Sequence, residues 1–90
     1  MAITQYFTKS DDEVLDYAVD WSDWLNSDTI SSSSWSSSAV TIDSDTNSTT
    51  TATVWLSGGT SGDIDQVTNQ IVTAGGRTAE RSFNLTIEDR

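Results

Sequence analysis

Near the C-terminus, Phe83, Leu85 and Ile87 alternate with Ser82, Asn84, Thr86 and Glu88. Only an extended chain puts every second side chain on one face. Residues 78–87 therefore read as a strand with one face on a core and the other in water. Two further strand-like runs precede it. Residues 50–56 are β-branched and aromatic, and residues 64–73 form the other. Glycine-containing stretches, residues 57–62 and 74–77, separate the three, which predicts two hairpin turns.

The same period recurs upstream. Leu15, Tyr17, Val19 and Trp21 alternate with Asp16, Ala18 and Asp20, so residues 14–21 read as a strand with its acidic side in water. Ser22 is placed to cap a short turn carrying Trp24 and Leu25, which form an apolar corner with Trp21. Asn26-Ser27-Asp28 is a turn cluster. Residues 29–38 embed Ile30 and Trp35 in a run of serines. Such a run can be a disordered linker. Flexible linkers have no reason to hold a tryptophan, however, so an ordered strand packed around Trp35 is the reading taken. Residues 39–42 give a short strand with Val40 and Ile42 on one face, followed by a polar loop over residues 43–49. Strands about every ten residues, without helical periodicity, predict an all-β sandwich.

The first residues stand apart. Ile3, Tyr6 and Phe7 are apolar, followed by Lys9-Ser10-Asp11-Asp12. Residues 1–12 are read as an N-terminal arm and residues 13–90 as the sandwich domain. The arm is either a frayed terminus with a residue or two docked on the domain, or a segment that orders on a neighbouring subunit. In the second case Ile3, Tyr6 and Phe7 are the partner-binding residues.

Charge narrows the partners. Fourteen Asp and Glu against four Lys and Arg give a net charge of -10 in 90 residues. Affinity for nucleic acid and for anionic membranes rests on Lys and Arg, so neither is expected as a partner. No run approaches the roughly 20 apolar residues of a membrane helix. Residues 1–10 lack the basic start and apolar centre of a signal peptide, so Sec export is not expected. With no signal peptide, the sequons at Asn47 and Asn84 carry little weight.

Chemistry is sparse. The chain has no His and no Cys, so a serine nucleophile would lack its usual base and no thiol chemistry exists. No motif brings two carboxylates together as an acid and base pair. No catalytic residue, metal site or cofactor is therefore expected. Asp43, Asp45 and Asn47 match the first ligands of a calcium loop, but Ser48 replaces the turn glycine and Val54 the bidentate glutamate. The four tryptophans are read as core filling for a small domain. The alternative is a sugar-stacking platform on a carbohydrate-binding or adhesin-type sandwich. Trp24, Trp35 and Trp55 separate the two: buried rings favour the first, a row of exposed rings the second.

The ordered segments also resemble a known family. They are Phe7-Thr-Lys-Ser-Asp11, Val14-Leu-Asp-Tyr17, Val19-Asp-Trp21, Trp24-Leu25, Asp28-Thr-Ile30 and Trp35. Thr53-Val-Trp-Leu-Ser-Gly-Gly59, Val67-Thr-Asn69, Ile71, Gly76-Arg-Thr78 and Glu80-Arg-Ser-Phe83 follow. In this order they resemble small tailed-phage virion proteins called fiber–tail adaptor or connector proteins. Related sequences often have a proline where Ser10-Asp11 stands, and an aromatic where Asp65 stands. The resemblance implies an immunoglobulin-like antiparallel β-sandwich of about six to seven strands and a structural, non-enzymatic role. It implies partners among other phage structural proteins of tail, neck, baseplate or fiber, with multiple copies in a symmetric assembly. Synthesis in the host cytoplasm and residence in the virion follow from the same likeness.

Overall fold

Two periods of alternation, one on each side of a shared core, become two facing sheets. A computed structural model describes residues 3–88, with side chains from Phe7 onward. The strands are β1 (Ile3–Ser10), β2 (Leu15–Asp20), β3 (Ile30–Ser37), β4 (Thr41–Asn47), β5 (Thr51–Ser57), β6 (Ile64–Thr73) and β7 (Thr78–Glu88). One helical turn, α1 (Ser22–Leu25), follows β2. The sheets have the orders β1-β7-β6-β3 and β2-β5-β4. These match the C-F-G and B-E-D sheets of an immunoglobulin-type sandwich, with the first strand added beside the last. That first pairing, β1 with β7, is parallel, and the others are antiparallel.

The inward positions are those the alternation predicts. Tyr17, Val19, Ala52, Val54 and Leu56 come from one sheet, and Val67, Ile71, Phe83, Leu85 and Ile87 from the other. Burying them removes apolar surface from water, the main favourable term in folding. Phe7, Tyr17 and Phe83 form an aromatic cluster that ties the sheets, with ring centroids 5.1 to 5.5 Å apart. Trp35 meets Phe83 edge-on at 6.2 Å. The serine-rich segment is an ordered strand, as expected.

Four local expectations are corrected. Residues 3–10 do not stand off as an arm. They are β1, paired in parallel with β7 so that Phe7 lies beside Leu85 and Lys9 beside Ile87. Lys9 is fully buried, and its ammonium donates to the carbonyls of Ser10 and Gly58, each at 2.7 Å. Residues 43–47 are not loop but most of β4, held by backbone pairing to β5 with every one of these side chains exposed. Residues 57–62 are not a hairpin turn, because β5, which ends at Ser57, and β6 lie in different sheets and the chain crosses between them here. Ser22 does not cap α1. Its own amide is held by Asp20 Oδ1 at 2.9 Å. The turn at residues 74–77 is a hairpin as expected, closed by Thr73 N–H donating to Arg77 O at 2.8 Å.

Candidate docking surface

Several segments that carry the family resemblance converge on one end of the sandwich. Trp21 donates from its indole to Asn69 Oδ1 at 2.9 Å, and Asn69 Nδ2 donates to Ser33 Oγ and Ser34 O. The Arg81 guanidinium lies over the Trp21 ring, 4.4 Å from its centroid. Arg77 covers Trp24 in the same way at 4.2 Å and donates to Leu25 O. Its other contact is Asp28 Oδ2, at 3.1 Å. Asp28 also accepts from the amides of Thr29 and Gly75. The Thr73 hydroxyl first, then the Thr29 amide, hold the Asp28 carboxyl down at about 2. Modest desolvation opposes them, while Gly75 and Arg77 add to the lowering. The effect is to clamp α1 and the start of β3 onto the β6–β7 hairpin.

A second clamp holds the turn between β3 and β4. Asp65 projects inward from β6 and is fully buried. It accepts from the Ser38 hydroxyl and from the amides of Ser38, Ala39 and Val40 at 2.9 to 3.0 Å. Burial pushes its carboxyl up. The Ser38 hydroxyl and the three amides outweigh that and leave it below the ordinary 3.8. Nothing in the neighbouring residues calls for an acid at this position. Its donors lie 25 to 27 residues upstream, so no local pattern reveals them.

What remains for partners is surface. Among the described residues no pocket forms, and no three potential metal ligands cluster. On the four-stranded sheet the outer face carries Ser32, Ser34 and Ser36 beside Val72, Gln70 and Thr68. Thr78, Glu80, Asn84, Thr86 and Ile64 continue it, while Ser82 in their row is buried. Glu80 is the one charge among these positions. On the other sheet the exposed face pairs Asp16 and Ser44 with Trp55, and Asp20 with Thr51.

The model of the family described as podophage GP4 fiber-tail adaptor protein gp77 matches residues 9–86. The chain belongs to this family. No curated protein matches it. As a fiber–tail adaptor it is a structural component of a phage tail, and its match extends from the end of β1 into β7.

The residues singled out from sequence are dispersed in the adaptor. The side chains of Ile3 and Tyr6 lie outside the described residues, and their backbone belongs to β1. Phe7 turns inward to Tyr17 and Phe83. Asp43, Asp45 and Asn47 are exposed along β4, with Asp43 accepting from the Ser57 hydroxyl. Trp24 lies half-buried under Arg77, and Trp35 half-buried against Phe83. Trp55 is 42% exposed on the outer face of β5. The three rings sit on α1, on β3 and on β5, so they make no row for a sugar chain to stack along.

Proposed function

We propose that this adaptor is a non-enzymatic connector, joining the tail to fibers, and through neck or baseplate proteins to the rest of the particle. It works in multiple copies in a symmetric assembly, by protein–protein contacts alone. The family match over residues 9–86 carries this reading. A rigid sandwich with both inner faces spent on its core supports it, since edges and outer faces are then what the molecule offers to neighbours. Contact of the first strand with an adjacent subunit through Ile3 and Tyr6 is part of this proposal, whereas Phe7 packs on Tyr17 and Phe83. The net charge of -10 supports protein surfaces, rather than phosphate backbones or anionic membranes, as the partners. The chain is made in the host cytoplasm and joins the virion during assembly.

Deleting the gene and restoring it in trans tests this. Particles made without the protein should lack fibers by electron microscopy and by mass spectrometry of purified virions. Complementation should restore both. Fully fibered particles from the deletion would overturn the reading.

A further inference from the structure

Four strands end the two sheets, and they are not equally guarded. β2 carries Asp16 and Asp20 on its exposed face. β4 carries Asp43 and Asp45 and is bulged between Ile42 and Ser44. β1 runs parallel to its neighbour, is bulged between Ile3 and Gln5, and is followed by Asp11 and Asp12. Charges and bulges of this kind keep an exposed edge from pairing with another chain. β3 has only a bulge at its first residues, between Ile30 and Ser32. From Ser32 to Ser37 it runs in unbroken register with β6. In a chain of fourteen carboxylates, residues 29–42 hold no charge at all. Midway along β3, Trp35 carries the one buried side-chain nitrogen without a hydrogen-bond partner among the described residues.

We propose that the free edge of β3 is a self-association site, where a second copy of this chain pairs antiparallel about a two-fold axis at Ser34. The charge distribution selects the second copy. A two-fold edge pairing sets each strand against itself, and like charges directly opposite are destabilising. β2 and β4 would set aspartates near aspartates. β3 sets Ser32 against Ser36 and Ser34 against Ser34, with no charge and little bulk. Outer-edge amides and carbonyls between Ser32 and Ser37, which no strand of this chain pairs, would complete a continuous eight-stranded sheet. The neutral outer face around Ser34, Gln70 and Thr68 lets two strongly acidic molecules approach there. A six-residue edge buries less than the roughly 1,200 Å² of a stable interface, so the pairing is weak in isolation and gains from multiple copies held in one assembly. This deepens the adaptor reading by naming one partner.

Sedimentation equilibrium of the full chain, up to about 1 mM, reads the association as a dissociation constant. The expected result is a monomer–dimer equilibrium that strengthens with added salt, because screening relieves repulsion between two chains of charge -10. Slowed amide exchange confined to residues 32–37 should accompany the dimer, with a shift of the Trp35 indole resonance. Ser34→Glu should weaken the dimer at least about tenfold by setting two carboxylates face to face. Ser44→Glu, at an exposed position on the opposite sheet, should leave it intact. A monomer throughout, a dimer unaffected by Ser34→Glu, or equal loss in both variants would overturn the proposal. So would a chain that stays monomeric and pairs β3 only with a strand from another virion protein. None of these outcomes alters the fiber content of particles from the gene deletion, so failure here and failure of the adaptor reading are separate.

Discussion

Trp21 and Asn69 are joined by an indole-to-amide hydrogen bond of 2.9 Å that links the end of β2 to the middle of β6. Both residues are buried. Asn69 spends its two amide protons on Ser33 and Ser34, so this one side chain ties three segments together. A buried polar group stabilises only while its partners are present, and an orphaned partner costs the full desolvation penalty. Asn69→Leu keeps the branched shape of the side chain but strands the Trp21 N–H and the Ser34 carbonyl. It should cost about 2–4 kcal/mol, as the loss of two partners at about 1–2 kcal/mol each. Urea unfolding followed by tryptophan fluorescence measures this. A midpoint equal to wild type would show that water replaces the amide.

Acid should unfold the domain through two named carboxylates. Asp28 titrates at about 2 in the fold against an ordinary 3.8, and Asp65 is also lowered. A carboxyl whose folded pKa is depressed stabilises the fold above its unfolded value. That stabilisation disappears as pH falls through the folded value. The urea midpoint should therefore hold steady from neutral pH down to about 4, then fall toward pH 2. Asp28→Asn and Asp65→Asn should each flatten the fall, because an amide does not titrate. An unchanged slope in both variants would place the acid sensitivity elsewhere.

Asp65 meets its donors only in the folded chain, and other elements differ in how far residue order reveals them. β7 was legible because Phe83, Leu85 and Ile87 all face one core and Asn84 and Thr86 do not, so period two survives intact. β4 was not, because Asp43 to Asn47 are exposed on both faces and its strand state comes only from backbone pairing to β5. β1 was hidden for a different reason. Its inward positions are Phe7 and Lys9, and a buried lysine breaks the apolar pattern that marks a strand. Its partner is also remote in sequence, since parallel pairing joins the two ends of the chain. The clamp formed by Asp28, Arg77 and Trp24 was visible only as motifs of a family, with no clue that they meet. The β3 edge could be seen as a strand, but its position at the rim is a property of sheet order.

Phe83 packs across the core from its own sheet onto Tyr17 of the other. It is 1% exposed and touches the rings of Phe7, Tyr17 and Trp35. Phe83→Ala removes those contacts and leaves a cavity, costing about 3–5 kcal/mol. A domain of this size has little more than that in reserve, so the variant should be largely unfolded at 37 °C by circular dichroism. A melting temperature equal to wild type would mean that β7 is in the wrong register.

Arg77→Ala should be milder, because the guanidinium is 45% exposed and its ion pair with Asp28 is screened by water. The loss is the stacking over Trp24 and one hydrogen bond to Leu25 O, together about 1 kcal/mol. Trp24 should then become more accessible to acrylamide, while Trp21 stays protected beneath Arg81. Quenching that is unaltered in the variant would show that Arg77 does not cover the ring.

Deleting residues 2–8 distinguishes an arm from a strand. An arm that orders only on a neighbour can be removed without changing the isolated domain, and its loss should be felt only in particles. The pairing of β1 with β7 predicts otherwise. Deletion takes Phe7 out of the cluster with Tyr17 and Phe83 and bares the backbone edge of β7. It also removes the Thr8 carbonyl that accepts from the Tyr17 hydroxyl, and the strand that presents Lys9 to Gly58. Phe7 is half-buried, so its ring alone accounts for about 2 kcal/mol, somewhat below the range for a fully buried phenylalanine. The truncated domain should melt well below wild type, and Phe7→Ala should reproduce part of the drop. A truncation that melts like wild type yet fails to enter particles would restore the arm and assign residues 2–8 to a neighbouring subunit. A lower melting temperature makes β1 part of the sandwich.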